Sequence, residues 1–174
     1  MVWPDKFYIG VSQDKRTVRW ARFFRIPLRF THCFLVFQWP SNQVMLFEAN
    51  WRGLSWAHWD KAHQADGWAW YADDRATPET AARLYAFCEG ACGKLYSYPL
   101  LVRLALRLIW QAWRNLRGVV RGRGGIAQVC SSLVNEAGRA IFGEPYSLLP
   151  DPSPDEVVSN PHLHFIQGGG IQCV

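Results

Sequence analysis

Acidic residues are missing from one long stretch of this chain. Between Gly90 and Asn135 there is no Asp or Glu, yet Lys94, Arg103, Arg107, Arg114, Arg117, Arg121 and Arg123 all fall there. The net charge of +5 therefore belongs to one segment, because the remaining residues hold 12 basic and 14 acidic groups. Also absent is an uninterrupted apolar run of roughly 18 residues, which argues against a plain transmembrane helix. The opening "MVWPDKFYIG" has no basic start leading into a long apolar stretch, so neither a signal peptide nor a transit peptide is expected. The five cysteines are odd in number, and their spacing shows no disulfide framework. Together these absences predict a chain that is cytoplasmic as synthesised and kept reduced. A zinc centre is not expected either. "CEGAC" is a C-x3-C pair, and the next candidate ligands, in "HLH", lie far away near the C-terminus. Zinc needs three or four ligands in tetrahedral reach. No cofactor and no other metal is predicted, and no internal repeat or low-complexity tract occurs.

What is present suits one α+β domain over 1–174. Apolar residues make up 49% and charged residues 19% of 174, enough for a sizeable core. Ten Trp point to aromatic packing or an exposed aromatic surface. "KFYIGVSQ" and "TVRWARFF" read as extended pieces around a polar turn. "RFTHCFLVFQW" and "QVMLFEAN" read as two strands of a hairpin, with "PSN" as the turn. "WRGLSWAHWDKAHQADG" reads as loop and "WAWYADD" as a short strand. "TPETAARLYAFCEGACG" is a helix with Thr77 as N-cap, Pro78 in the first helical position and Gly93 at its end. Cys88 and Cys92, one turn apart on it, are expected in the core. "YPLLVRLALRLIWQAWRNLRG" and "VCSSLVNEAGRAIFG" read as further helices. In "DPSPDEVVSNPHL" Ser153 and Glu156 are spaced as a capping box, and "HFIQGGGIQCV" holds a last short strand. Strands followed by helices make a segregated α+β pattern.

Cys130 stands where a loop, "RGRGG", gives way to a helix whose apolar side carries Leu133, Val134, Ala137, Ala140 and Ile141. At a helix N-terminus the backbone N–H groups and the dipole favour a thiolate. A small core residue is the commoner role for a cysteine, and position alone does not decide between them. A nucleophilic cysteine needs a base, most often His, and a group that orients it. His32 opens a strand, a rigid place to hold an imidazole. Glu48 ends the neighbouring strand among apolar residues and wants a partner. A hairpin would bring Glu48 to His32 across the ladder, as the third member of a triad. His58 and His63 fall in the Trp-rich stretch as surface or substrate contacts. His162 and His164 have no evident counterpart.

The succession "THCFLVF", "VMLFEANWRGL", "GKLYSY", "VCSSLVNEA" resembles the circularly permuted papain-like enzymes of the NlpC superfamily. The bacterial YiiX-like and YaeF-like proteins are among them, and lecithin retinol acyltransferase belongs to the wider group. In that permuted order a strand-borne His comes first, then a strand ending in Glu-Ala, a Gly-x-x-Tyr turn, and a Cys opening a late helix. Here these are His32, Glu48-Ala49, Gly93 with Tyr96, and Cys130-Ser131. "SPDEVVSNP" is similar to the Pro-then-Asp/Glu stretch that follows. The resemblance spans about residues 5–165. It implies an antiparallel sheet or small barrel packed against helices. It implies Cys130 as nucleophile, His32 as base and Glu48 as orienting residue, with the Cys130 N–H as one oxyanion donor.

One departure is an insertion at about 99–125, where the family needs only a short connection. On a helical wheel Arg103, Arg107, Gln111, Arg114 and Arg117 form a stripe over 100–117. Leu101, Leu104, Ala105, Leu108, Ala112 and Leu116 face the other way, and Trp110 and Trp113 flank the stripe. Such a helix packs on a core, or lies on a membrane surface or a protein partner. Nucleic acid is not an expected partner, because no binding motif accompanies the Arg residues. The reaction expected from the resemblance is amide hydrolysis through a thioester on Cys130, with peptides of the bacterial cell wall as substrate. A wall enzyme without a leader would need another route of delivery, as phage-borne lysis proteins have. Two alternatives stand beside it. One is a membrane-held thiol hydrolase or acyltransferase acting on lipid esters or amides. The other is a non-catalytic interaction module with a Trp-rich surface.

Overall fold

Among the described residues six strands form one open, wholly antiparallel sheet. The computed structural model describes residues 3–23, 29–50, 53–59, 67–94, 128–149 and 152–170. Within them the elements run β1 (Lys6–Ser12), α1 (Lys15–Phe23), β2 (His32–Gln38), β3 (Val44–Asn50), β4 (Gly53–His58), β5 (Trp68–Asp73), α2 (Pro78–Ala91), α3 (Gln128–Phe142), α4 (Pro154–Val158) and β6 (Leu163–Gly169). The sheet order is β4-β3-β2-β1-β5-β6. Of the two expected forms, sheet or small barrel, the sheet is the one found, with α2 and α3 packed against it. Cys92, Tyr96, His63 and Cys173 divide here: Cys92 is exposed rather than in the core, and the other three lie outside the described residues. The expected insertion helix over 100–117 lies outside them too.

Both faces of the sheet are apolar. One carries Ile9, Val11, Cys33, Leu35, Phe37 and Phe47 against Leu84 and Cys88 of α2 and Leu133, Val134 and Ala137 of α3. The other carries Phe34, Val36, Leu46 and Trp70, with Tyr8, Trp59 and Trp68 around them. Most of the described Trp residues are thus spent on packing. Gly10 lies opposite Phe34 in the ladder, and a Cβ there would come within 2.1 Å of the Phe34 ring. The glycine is the space the ring occupies. Ala140 of α3, expected on the apolar side, is exposed.

Two elements differ from the sequence reading. Residues 17–23, expected to be extended, belong to α1. Asp14 decides this: its carboxylate accepts the N–H of Arg16 and of Thr17, each at 3.1 Å, and its carbonyl takes the Val18 N–H at 2.9 Å. An N-cap of this kind outweighs the extended preference of Thr17 and Val18. Residues 53–58, expected as loop, are β4, paired with β3 from Met45↔His58 to Asn50↔Gly53. Gly53 takes φ 117° at the start of β4, a conformation open to glycine. On the outer edge of β4, Leu54 exchanges backbone bonds with Gly93 and Lys94 at 2.9 and 3.1 Å, which places the end of α2 on the sheet edge.

Candidate active site

The β2–β3 ladder stops short at the end that carries His32 and Glu48. It runs from Gln38↔Val44 to Leu35↔Phe47, whereas β1–β2 continues to Ser12↔His32 and β3–β4 to Asn50↔Gly53. β2 and β3 therefore part where His32 and Glu48 stand. The Cys33 N–H, with no β3 partner there, points to the Cys130 sulfur, as does the Ser131 N–H. Cys130 lies near the start of α3 and is 6% exposed.

The structure brings Cys130, His32 and Glu48 together in series. His32 Nε2 lies 2.9 Å from Glu48 Oε2, and His32 and Cys130 are hydrogen-bonded to each other. With Nε2 held by Glu48, Nδ1 is the nitrogen left for the sulfur. The side chains of His32 and Glu48 are 26% and 13% exposed, so the imidazole remains open to solvent on one side. Burial alone would pull the His32 imidazolium down. The Cys130 thiolate, the hydrogen bond to it and the Glu48 carboxylate outweigh burial and raise His32 to about 10. Burial alone would raise the Cys130 thiol. The His32 charge and hydrogen bond, with the N–H groups of Cys33 and Ser131, hold it below the ordinary thiol value instead. Each partner thus favours the charged form of the other, which is a thiolate–imidazolium pair. Cys33 and Cys88 behave oppositely: burial pushes both thiols up.

Several supporting residues escaped the sequence reading. Asn50 Nδ2 reaches Ser55 Oγ at 2.9 Å and Glu48 Oε1 at 3.5 Å. Glu48 and Ser55 are direct partners in the β3–β4 register. Asn50 follows Glu48 by two places and so shares its strand face. Ser55 has no such signal in the sequence, because 53–58 reads as loop and becomes a strand only by pairing with β3. Ser131 donates through Oγ to the Pro152 carbonyl. Asn135 exchanges two 2.9 Å bonds with the backbone of Ser147, fastening the chain after α3 to the helix. The other described histidines stand apart. His58 is exposed on β4. His162 pairs with Asp74 at 3.0 Å on the surface, and His164 lies exposed on β6.

Among the described residues, no group of three or more His, Cys, Asp or Glu is arranged to hold a metal ion, and no helix is long and apolar enough to cross a membrane. No family model matches the sequence, and no curated protein matches it. A solved structure does. The chain is similar to the metalloprotein yiiX from Escherichia coli O157:H7, with a TM-score of 0.62 and 13% identity, over 95% of this chain and 97% of that one. At that identity the likeness is one of fold. It bears out the resemblance carried by the four motifs: the chain has a YiiX-like, permuted papain-like fold of the α+β class.

Proposed function

We propose that this protein is a cysteine hydrolase that cleaves an amide bond through a thioester on Cys130. The observation that carries the reading is the Cys130–His32–Glu48 series, in which a buried sulfur, an imidazole and a carboxylate are joined by hydrogen bonds. The Cys130 thiolate attacks the carbonyl carbon, and the carbonyl electrons move to oxygen. The Cys130 N–H is one donor for that oxyanion. On collapse the C–N bond breaks, and the His32 imidazolium gives its proton to the departing amine. That leaves an acyl thioester and a neutral imidazole. His32 next takes a proton from water as the oxygen attacks, and the carboxylic acid departs from the regenerated thiolate. Glu48 holds the ring in one orientation through Nε2 and stabilises its charged form.

The yiiX protein is named a metalloprotein. A ligand set converges on a point, with each donor about 2 Å from the ion. Cys130, His32 and Glu48 are joined in series instead, with His32 bonded to the other two and its Nε2 committed to Glu48. That arrangement does not fit a resident metal, and no step here uses one.

The substrate class we favour is a peptide crosslink of bacterial cell wall, on the strength of the family resemblance alone. Incubation with purified sacculi tests it, with release of free amino groups as the readout. Wild type is expected to release them, Cys130→Ala and His32→Ala to be inactive, and Glu48→Gln to retain a reduced rate with the fold intact. Release of fatty acid from lipid amides or esters, with none from sacculi, would transfer the same chemistry to the lipid-directed alternative. Failure of Cys130 to react with an acylating probe would leave only the interaction module.

A further inference from the structure

The stretch "SPDE", singled out in the sequence but unused by the chemistry, touches both halves of the site. Asp155 Oδ2 accepts the backbone N–H of Arg29 at 3.1 Å and of Phe30 at 3.4 Å, across 126 and 125 residues of sequence. Phe30 is fully buried and stands two residues before His32. Three residues before Asp155, the Pro152 carbonyl accepts the Ser131 hydroxyl, next to Cys130. The block between these contacts is stiff. Ser153 and Glu156 close a capping box with bonds of 2.8 and 3.3 Å, and Val157 anchors α4 in the core at 0% exposure. On its other side the 29–31 turn is tied to the end of β1, through Gln13 Nε2 to the Arg29 carbonyl at 3.1 Å and the Thr31 N–H to the Ser12 carbonyl at 2.9 Å. Those bonds set the turn against the sheet. The link toward the nucleophile helix runs through Asp155. Among the described residues, the charged groups that act on it are Arg29 of the turn and Glu156 on its own helix.

We propose that Asp155 is a positioning residue: its carboxylate clamps the turn before His32 to the segment that anchors Ser131, and so sets the separation of His32 from Cys130. The inference rests on the reading of those two residues as base and nucleophile. Its force comes from the steepness of such geometry, since a displacement of about 1 Å costs roughly 100-fold in rate. Stabilisation of the thiolate by the imidazolium depends on the same separation.

The test is the rate of Cys130 alkylation by iodoacetamide against pH, in the whole protein, with thermal melting measured alongside. Asp155→Ala is expected to move the thiolate midpoint upward and so to slow alkylation at neutral pH, about tenfold for each pH unit by which the midpoint rises above neutral, because only the thiolate reacts. Asp155→Asn keeps an acceptor oxygen and is expected to recover most of the rate. Ser131→Ala breaks the other end of the block and is expected to shift the midpoint in the same direction; it carries the test if Asp155→Ala does not fold. Thr77→Ala, at the remote cap of α2, serves as a control that lowers the melting temperature without moving the midpoint. A reactive wild type whose midpoint is unmoved in Asp155→Ala, or in Ser131→Ala where that variant stands in, overturns the clamp alone. Ordinary thiol reactivity of Cys130 in the wild type overturns the catalytic reading and the clamp with it.

Discussion

At the scale of single residues, the site is a problem of two charges that depend on each other. Cys130 is depressed as a thiol and His32 is raised to about 10, each by the other. The reactive pair therefore exists above the Cys130 titration, where the sulfur has lost its proton, and below about 10, where the ring still has one. Activity against pH is expected to be a broad bell. Its acid limb reports Cys130 taking up a proton, and its alkaline limb reports His32 losing one. In Glu48→Gln the imidazolium loses a stabilising charge, so the alkaline limb should move to lower pH. An unmoved limb would remove Glu48 from its orienting role. Brief alkylation at neutral pH followed by mass spectrometry should label Cys130 ahead of Cys33, Cys88, Cys92 and Cys173. Even labelling across the five would contradict a thiolate at Cys130.

At the scale of elements, the decisive feature is the early end of the β2–β3 ladder. A strand pair that stays zipped spends its N–H groups on the ladder. Here the parting leaves the Cys33 N–H for the sulfur. The opposite side of β2 is held by close packing, with the Phe34 ring over Gly10 and 5.7 Å from the His32 ring. Gly10→Ala forces a methyl into that ring, at a cost of about 1–3 kcal/mol, the usual range for overpacking. Denaturant unfolding should show the loss as a lower midpoint. Because Phe34 touches His32, the same variant should also slow turnover. A wild-type midpoint would mean that the ring has room to move.

At the scale of the whole molecule, the order of the chain has a consequence. The strands with His32 and Glu48 come early and the helix with Cys130 comes late, so the acid-free stretch from Gly90 to Asn135 runs between the two halves of the site. We propose that this basic stretch meets an anionic surface. Each Arg near an anionic bilayer contributes on the order of 1 kcal/mol, and the attraction weakens with salt. Co-sedimentation with anionic vesicles should be strong at low salt, weak at high salt, and reduced when Arg103, Arg107 and Arg114 become Gln. Failure to bind at low salt by a folded protein would end that proposal.

The chain by itself determined the pieces whose cause is local. The β2–β3 hairpin, the Thr77 cap and Pro78 of α2, the Ser153–Glu156 box and the placement of Cys130 near a helix start each follow from a few neighbouring residues. The order His32, Glu48, Cys130 was legible too, because each residue has a short motif around it. Other features depended on partners distant in sequence. Residues 53–58 have weak strand character and became β4 by pairing with β3. The parting of β2 from β3 leaves no mark in either strand's composition. Asp155 looks like an ordinary first-turn acid until the fold sets it against Arg29 and Phe30, more than a hundred residues away. A backbone N–H carries no side-chain signature, so which carboxylate receives it is decided only when the tertiary structure brings the two together.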